Sequence, residues 1–257
     1  MNKIKLEYTY NNTVARIILD DGKGNVLDSI MMKELIEMLN SFKNYNDIKL
    51  ITFEGVGKHF SFGASVEEHK KENVSSMLKT FHNIFYTIID LSIPTLAKIS
   101  GQCLGGGLEL ALICNFLFTD KTAMMGQPEI KLGVIPPPAS VILPLKIGNA
   151  QAENLLMTGN SISGEKGKEI GLINEVFENK EEMEEEINKW INENIVPKSA
   201  SSLRYSFKAS RIVFNYLIKK MLPELEEMYV EKLMKTEDAN EGINSFLEKR
   251  RPNWGNK

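Results

Sequence analysis

The stretch GQCLGGGLELALIC (101–114) is largely apolar, yet it contains three consecutive glycines and one carboxylate, Glu109. Glycine costs roughly 1 kcal/mol relative to alanine inside a helix, and a carboxylate is rarely buried without a partner or a function. The pattern predicts a strand, a turn at Gly101, and then a helix whose first turn is glycine. Helix stability cannot explain the three glycines, so they need another reason.

Two familiar phosphate-binding motifs do not fit this stretch. A dinucleotide fingerprint needs a third glycine where Leu110 stands, and no Gly-Lys-Ser/Thr follows for a P-loop. Two interpretations remain open. The unpaired N–H groups of the helix start can polarise a carbonyl or stabilise an oxyanion, with Glu109 beside them. Alternatively, the glycines allow tight packing, and Glu109 compensates the helix dipole by about 0.3–1 kcal/mol.

The composition is that of a globular protein. The chain has 257 residues, of which 42% are hydrophobic and 25% charged, and its net charge of −3 gives no indication of a nucleic-acid surface. The segment MNKIKLEYTYNN has no apolar run behind its lysines, and no apolar stretch is long enough to cross a bilayer. Cys103 and Cys114 match no metal spacing. We therefore expect a cytoplasmic protein with neither a membrane span nor a metal site.

Alternating strand and helix patterns predict an α/β fold with βαβ units. Apolar positions at helical spacing predict helices over 29–44 and 75–91. After about residue 148 the pattern becomes helical, interrupted by a short strand in INEVF (173–177). The β-rich segments are VARIIL (14–19), LITFE (50–54), PTLAKIS (94–100) and FLFTD (116–120).

Two further segments carry residues that can do chemistry. MMGQPEIKLG (124–133) places Glu129 after a proline with no basic neighbour, a pattern that by itself is typical of a surface turn. HFSFGASVEEH (59–69) follows a strand and puts Gly63-Ala64 in a tight turn, where an exposed N–H can be a second oxyanion donor or belong to a plain loop. The three histidines, at positions 59, 69 and 82, have no Ser or Cys partner at a recognisable spacing. We interpret them as surface or hydrogen-bonded residues.

Six segments in this order resemble the crotonase, or enoyl-CoA hydratase/isomerase, superfamily along nearly the whole chain. The resemblance implies a repeated ββα spiral core over residues 1–195, which holds a CoA-thioester site. It also implies a C-terminal helical trimerisation region over residues 196–257. The six segments are GNVLDSIMMKEL (24–35), FSFGAS (60–65), GQCLGGGLELA (101–111), GQPEIKLG (126–133), LLMTGNSISGEKGKEIGLINEV (155–176) and EGINSFLEKRRP (241–252).

The same resemblance assigns roles by position. It implies that the N–H groups of Ala64 and Gly106 form an oxyanion hole and that Glu109 and Glu129 are the two catalytic carboxylates. It further implies a homotrimer or dimer of trimers, an acyl-CoA substrate, and no metal or separate cofactor, because coenzyme A enters as part of the substrate. The residues expected to bind the substrate are Phe62, Ser65, Val66, Pro137 and Lys249.

Within the superfamily, SFGASVEEH, the FHNIF helix and QPEIKLGV…PPAS resemble the cyclohexa-1,5-diene-1-carbonyl-CoA hydratases of anaerobic aromatic degradation. The segment IPPPAS (135–140) replaces the glycine-rich loop of ordinary enoyl-CoA hydratases, so a backbone donor for the attacking water is missing at Pro137 or Pro138. Ser65 stands where many members carry aspartate. Two alternatives are a general short-chain enoyl-CoA hydratase/isomerase and a catalytically silent acyl-CoA-binding subunit. The retained pair of glutamates argues against the silent subunit.

Overall fold

A computed structural model describes residues 2–257 of the chain. Within this range the strands are β1 (Ile4–Thr9), β2 (Val14–Leu19), β3 (Leu50–Gly55), β4 (Thr95–Ile99), β5 (Gln102–Leu104), β6 (Phe116–Asp120), β7 (Met124–Gly126), β8 (Ser161–Ser163) and β9 (Glu175–Phe177). The α-helices are α1 (Ser29–Ser41), α2 (Val74–Leu91), α3 (Gly106–Leu112), α4 (Pro137–Thr158), α5 (Gly164–Glu169), α6 (Lys180–Asn194), α7 (Ala200–Ser210), α8 (Ile212–Glu227) and α9 (Glu237–Leu247). Short 3-10 helices cover Phe42–Asn44, Val66–His69, Pro128–Leu132 and Leu233–Lys235, and a π-helical turn covers Met228–Lys232.

The strands form two sheets between which the chain alternates. The larger sheet has the order β1-β2-β3-β4-β6-β9, antiparallel only between β1 and β2, and the smaller has the order β5-β7-β8. The chain passes from β4 to β5 before α3, and from β6 to β7 before α4. Two strands of the larger sheet, β4 and β6, are thus each followed by a strand of the smaller sheet and then by a helix. This arrangement confirms the predicted α/β fold with a repeated ββα spiral.

The predicted strands and helices lie where the patterns placed them, to within a few residues. The segments 14–19 and 116–120 are strands over their full length, and the pattern over 75–91 corresponds to α2. The sequence did not predict β1, whose side chains alternate with charge and are mostly solvent-accessible. The strands β5, β7 and β8 have three residues each, too few for a period of two to be recognised.

The C-terminal helices continue the core of the spiral. Ile218 and Leu222 of α8, together with Tyr229 and Met234 after it, are fully buried in the same apolar cluster as the strands. Helix α8 packs against α2 and α4. Residues far along the chain from the glycine run therefore pack into the same core as the strands.

The segment IPPPAS, which replaces a loop by resemblance, is non-helical only at its first two residues. Helix α4 begins at Pro137, and proline is favoured in a first helical turn because its missing N–H has no partner there and its φ already suits the helix. Gly148 interrupts α4 with a φ of 73°. No helix between residues 2 and 257 has the length and apolar character needed to cross a membrane.

Candidate active site

The turn at Gly63–Ala64 leaves one backbone N–H, that of Ala64, without an acceptor in the described part of the chain. Gly63 has a φ of 103° and its carbonyl accepts from the N–H of Leu27 at 2.9 Å, while Ser65 N–H donates to the carbonyl of Leu27 at 3.3 Å. These two bonds hold the turn on both sides of Ala64. The Ala64 N–H itself has no acceptor within residues 2–257.

The three glycines bring the backbone of α3 close to three different neighbours. Gly105 caps the helix with φ 50° and ψ −127°, and a side chain there would place Cβ 2.5 Å from Oε1 of Glu129. A Cβ at Gly106 would lie 3.1 Å from the backbone nitrogen of Ala64, and one at Gly107 would lie 2.6 Å from Cβ of Ser61. The glycines therefore allow tight packing, as one of the two interpretations predicts, and this packing places the helix start against the Ala64 turn.

Gly106 supplies the second free donor. The N–H of Gly105 donates to the carbonyl of Gly126 at 2.9 Å, whereas that of Gly106 has no acceptor among the described residues. As the first residue of α3, Gly106 has no intrahelical partner for its N–H. The unpaired N–H groups of Ala64 and Gly106 thus lie on two segments that are in close contact at Gly106.

Glu109 is buried and fixed by a backbone hydrogen bond. Its residue is 4% exposed, and Oε1 accepts from the N–H of Ala139 at 2.9 Å. Ala139 lies in the first turn of α4, where backbone N–H groups have no helical partner. Because Pro137 and Pro138 have no N–H, Ala139 is the first residue of α4 that can donate.

Glu129 comes to the same place from the short 3-10 helix Pro128–Leu132 and is 9% exposed. It is therefore not the surface turn residue that its own segment suggests. With its amide nitrogen turned toward the carboxyl group, the fully buried Gln127 donates to Oε2 of Glu129 at 3.0 Å and to Oε1 at 3.3 Å. Glu129 is thus held between an amide donor and the backbone of Gly105.

Burial controls the charge of this pair. Desolvation raises the pKa of Glu109 well above its ordinary value, and the negative charge of Glu129 raises it further, although the Ala139 N–H opposes the shift. Desolvation also raises the pKa of Glu129. Two neighbouring buried carboxyl groups cannot both be ionised at low cost. Because burial raises both pKa values, the pair holds at least one proton at neutral pH, and its titration belongs to the pair and not to either residue alone.

A single cavity joins these groups. Ala64, Gly106, Glu109 and Glu129 all line it. Its volume of about 70 Å³ exceeds the roughly 10–15 Å³ that one water molecule needs. Of the residues predicted to bind the substrate, those in the cavity wall are Phe62, Val66 and Pro137.

Ser65 and Lys249 lie outside this wall. Ser65 precedes the 3-10 helix Val66–His69, and its carbonyl accepts from a histidine ring. Lys249 follows α9 with a φ of 55°, and its N–H donates to the carbonyl of Phe246. The predicted contact of Lys249 with coenzyme A stays a prediction.

Among the polar side chains of the cavity wall, sequence reasoning missed two, those of His69 and Tyr229. Nδ1 of His69 lies 2.8 Å from the carbonyl of Ser65, so this nitrogen carries the proton and Nε2 is an acceptor. Burial lowers the pKa of His69, which keeps the ring neutral. In the sequence, His69 stood out only as the last residue of SFGASVEEH, one of the segments that carry the resemblance. Nothing distinguished Tyr229.

The other two histidines lie apart from the cavity wall. Nδ1 of His59 accepts from the backbone N–H of Gln102 at 3.0 Å, as predicted for a hydrogen-bonded histidine. His82 is 1% exposed, its Nδ1 lies 3.0 Å from Glu226, and its Nε2 has no partner among residues 2–257. His82 is therefore a buried histidine that is hydrogen-bonded through one ring nitrogen, so the prediction holds for Nδ1 and not for Nε2. No cluster of three or more His, Cys, Asp or Glu suited to a metal occurs in the described part of the chain.

Known proteins resemble this chain over its whole length. Residues 9–257 match the family described as enoyl-CoA hydratase/isomerase. A cyclohexa-1,5-dienecarbonyl-CoA hydratase from Thauera aromatica is 40% identical over 254 residues, which cover 99% of this chain and 97% of that protein. A probable enoyl-CoA hydratase from Bacillus subtilis is 31% identical, with 99% of each chain covered.

Solved structures share the fold. The crystal structure of an enoyl-CoA hydratase from Bacillus halodurans superimposes with a TM-score of 0.87 at 24% identity, covering 95% of this chain and 99% of that one. At this identity the superposition establishes the fold alone, and the family match over residues 9–257 establishes the relationship. The chain therefore belongs to the enoyl-CoA hydratase/isomerase family.

Proposed function

We propose that the chain adds water to an unsaturated acyl-CoA thioester, with cyclohexa-1,5-diene-1-carbonyl-CoA as its substrate. One observation carries the proposal: two buried carboxyl groups and two unpaired backbone N–H groups line the same cavity. Hydration needs donors for the thioester oxygen, a base and an acid. This cavity offers all of them within one wall.

The chain is an enzyme of the hydro-lyase class. Its family contains hydratases, and the relatives from Thauera aromatica and Bacillus subtilis are both named as hydratases. Hydration leaves the oxidation state of the molecule unchanged overall, so the reaction needs no redox partner. We expect no metal or separate cofactor, with coenzyme A present only as part of the substrate.

The two N–H donors act on the thioester oxygen. When water attacks the conjugated system, negative charge accumulates on this oxygen, and the N–H groups of Ala64 and Gly106 are aligned to receive it. Losing one such donor typically costs about 3–4 kcal/mol of transition-state stabilisation. Because both donors belong to backbone fixed by glycine contacts, they need no reorganisation during the reaction.

The two glutamates move the protons. The ionised carboxylate takes a proton from the attacking water as the new C–O bond forms, and the protonated carboxyl group gives a proton to a carbon of the substrate. In a conjugated diene this carbon is the far end of the system. One proton enters the pair and one leaves it, so Glu109 and Glu129 together end with the same number of protons.

Two observations favour the cyclic diene over a linear enoyl chain. The Thauera aromatica relative named for this substrate is 40% identical, against 31% for the Bacillus subtilis enoyl-CoA hydratase. Pro137 and Pro138 also remove two backbone donors from the start of α4, and Pro137 lines the cavity with its restricted φ. This departure from an ordinary loop donor favours a substrate other than a linear enoyl chain.

The test compares two substrates on one enzyme. The purified chain is given crotonyl-CoA and cyclohexa-1,5-diene-1-carbonyl-CoA at equal concentrations, and the loss of conjugation is followed by absorbance. We expect the diene to be hydrated far faster. Equal or better turnover of crotonyl-CoA would replace this proposal with a general short-chain enoyl-CoA hydratase. Binding of both thioesters without hydration would leave a silent acyl-CoA-binding subunit.

We also propose that the chain assembles as a homotrimer or a dimer of trimers through residues 196–257. Four large apolar side chains between residues 205 and 216 are 65–72% exposed in the single chain, and exposed apolar patches are typical of protein–protein contacts. They are Tyr205, Ile212, Val213 and Tyr216. Sedimentation equilibrium measures the assembly directly, and a monomer would contradict the proposal.

A further inference from the structure

Tyr229 brings a phenol to the catalytic cavity from the far end of the chain. It lies in the π-helical turn Met228–Lys232, directly after α8, and is 1% exposed. Its ring belongs to the main apolar core, and the residue lines the same cavity as Glu109 and Glu129. Single π-helical turns occur often at functional sites.

The Tyr229 hydroxyl has no hydrogen-bond partner among residues 2–257, although it is buried. Leaving a buried hydroxyl unpaired costs about 1–3 kcal/mol, so such a group indicates a ligand or water partner. Burial and the charges of Glu129 and Glu109 raise the pKa of Tyr229. The phenol therefore keeps its proton and is available as a donor.

The start of α4 cannot supply this donor to a water molecule. Pro137 and Pro138 have no N–H, and the N–H of Ala139 already donates to Glu109. A water molecule between the two carboxyl groups therefore gets no backbone donor from the first three residues of this helix. The N–H groups of Ala64 and Gly106 are assigned to the thioester oxygen, and Nε2 of His69 is an acceptor. Among the side chains of the cavity wall, the unpaired hydroxyl of Tyr229 is therefore the donor that can take the role.

We propose that the Tyr229 hydroxyl holds the attacking water, together with Glu109 and Glu129. The hydroxyl is beyond hydrogen-bond distance of either carboxyl group, and a polar gap with three partners is one that a single water fills. The inference rests on the proposed hydration reaction. It adds a third water-binding group that the family comparison does not provide.

The geometry of water makes the three roles compatible. Its two hydrogens donate to the two carboxyl groups, and one lone pair accepts from the Tyr229 O–H. The second lone pair is left pointing to the substrate carbon. As the C–O bond forms, the ionised carboxylate takes one water proton, and Tyr229 keeps its own proton throughout.

The test is Tyr229→Phe, which removes only the hydroxyl. Misplacing a reacting group by about 1 Å can cost roughly a hundredfold in rate. We therefore expect kcat to fall between about tenfold and a hundredfold, with KM changed by less than about twofold, because the water and not the thioester has lost a contact. The reverse dehydration should slow by the same factor. Tyr10→Phe is the matched control, since the Tyr10 hydroxyl bonds to Asn188 away from the cavity.

Two readouts separate this role from others. A purely structural role would lower the thermal midpoint and raise KM together, and unchanged kcat would overturn the proposal outright. If the hydroxyl instead acted on a carboxyl group directly, Tyr229→Phe would shift a limb of the pH–rate profile, whereas we expect both limbs to stay in place. Failure of the proposed function has a different signature, because the unmodified enzyme would then hydrate neither thioester.

Discussion

The carboxyl group of Glu109 accepts a hydrogen bond from the backbone N–H of Ala139 at 2.9 Å, which ties the glycine-rich helix α3 to the proline-rich start of α4. The bond uses the first N–H that α4 can offer, because Pro137 and Pro138 have none. It fixes the orientation of the Glu109 side chain in the cavity. It also favours the ionised form of Glu109, against the burial that favours the protonated form.

Glu109→Gln and Glu129→Gln should each lower kcat by at least about a hundredfold, the usual scale of acid–base catalysis. A glutamine amide keeps the size of the side chain and can still accept from Ala139, but it neither takes nor gives the proton. We expect KM to change little, since the oxyanion donors remain. Steady-state kinetics on both variants measure the effect, with the exposed Glu165→Gln as control. Near-normal turnover in either variant would exclude that glutamate as a proton carrier.

The buried pair should make the protein less stable as the pH rises. Burial raises the pKa of Glu109 and Glu129 above the ordinary 4.5, so the folded chain holds protons that the unfolded chain has released. The stabilisation from this protonation is complete below the unfolded pKa and is lost as the pH rises through the folded pKa. Glu129→Gln removes one such group. The urea midpoint of this variant minus that of the unmodified protein should therefore increase between about pH 5 and about pH 8. A difference independent of pH would contradict the assignment.

The sequence predicted the elements that local patterns encode. Runs of apolar residues at the right period predict the strands at 14–19 and 116–120 and the helix α2. The glycine run at Gly105–Gly107 predicted that another group lies close to this stretch of backbone. What it could not predict depends on contacts between distant segments. The hydrogen bond from Ala139 to Glu109 joins two residues that are 30 positions apart and lie on different helices. Tyr229 enters the cavity only because α8 packs across α2 and α4.

Gly106→Ala should keep the fold and lose the activity. The new Cβ would lie 3.1 Å from the backbone nitrogen of Ala64, in the space where the thioester oxygen must reach that donor. Removing one oxyanion donor costs about 10²–10³-fold in kcat, and we expect a loss of about a hundredfold here. Alanine is a better helix former than glycine, so the thermal midpoint should not fall much. Gly255→Ala is the control, because its Cβ meets nothing closer than 3.4 Å. An active Gly106→Ala enzyme would mean that the thioester oxygen does not need the space beside the Ala64 nitrogen, because alanine keeps the N–H of residue 106.

Pro138→Ala should shift the substrate preference toward linear enoyl chains. The substitution gives the first turn of α4 an N–H beside the one that Ala139 donates to Glu109. A backbone N–H at this place can donate to the attacking water, which proline cannot do. A net hydrogen bond of about 0.5–1.5 kcal/mol corresponds to roughly a two- to tenfold change in rate.

We therefore expect the ratio of kcat/KM for crotonyl-CoA over cyclohexa-1,5-diene-1-carbonyl-CoA to rise by roughly two- to tenfold in Pro138→Ala. Pro144→Ala is the matched control, because it removes a proline from the interior of the same helix and leaves the first turn next to Glu109 unchanged. The ratio matters more than either rate, since a general loss of packing at the buried Pro138 would slow both substrates alike. An unchanged ratio would mean that the prolines shape the helix start without selecting the ring.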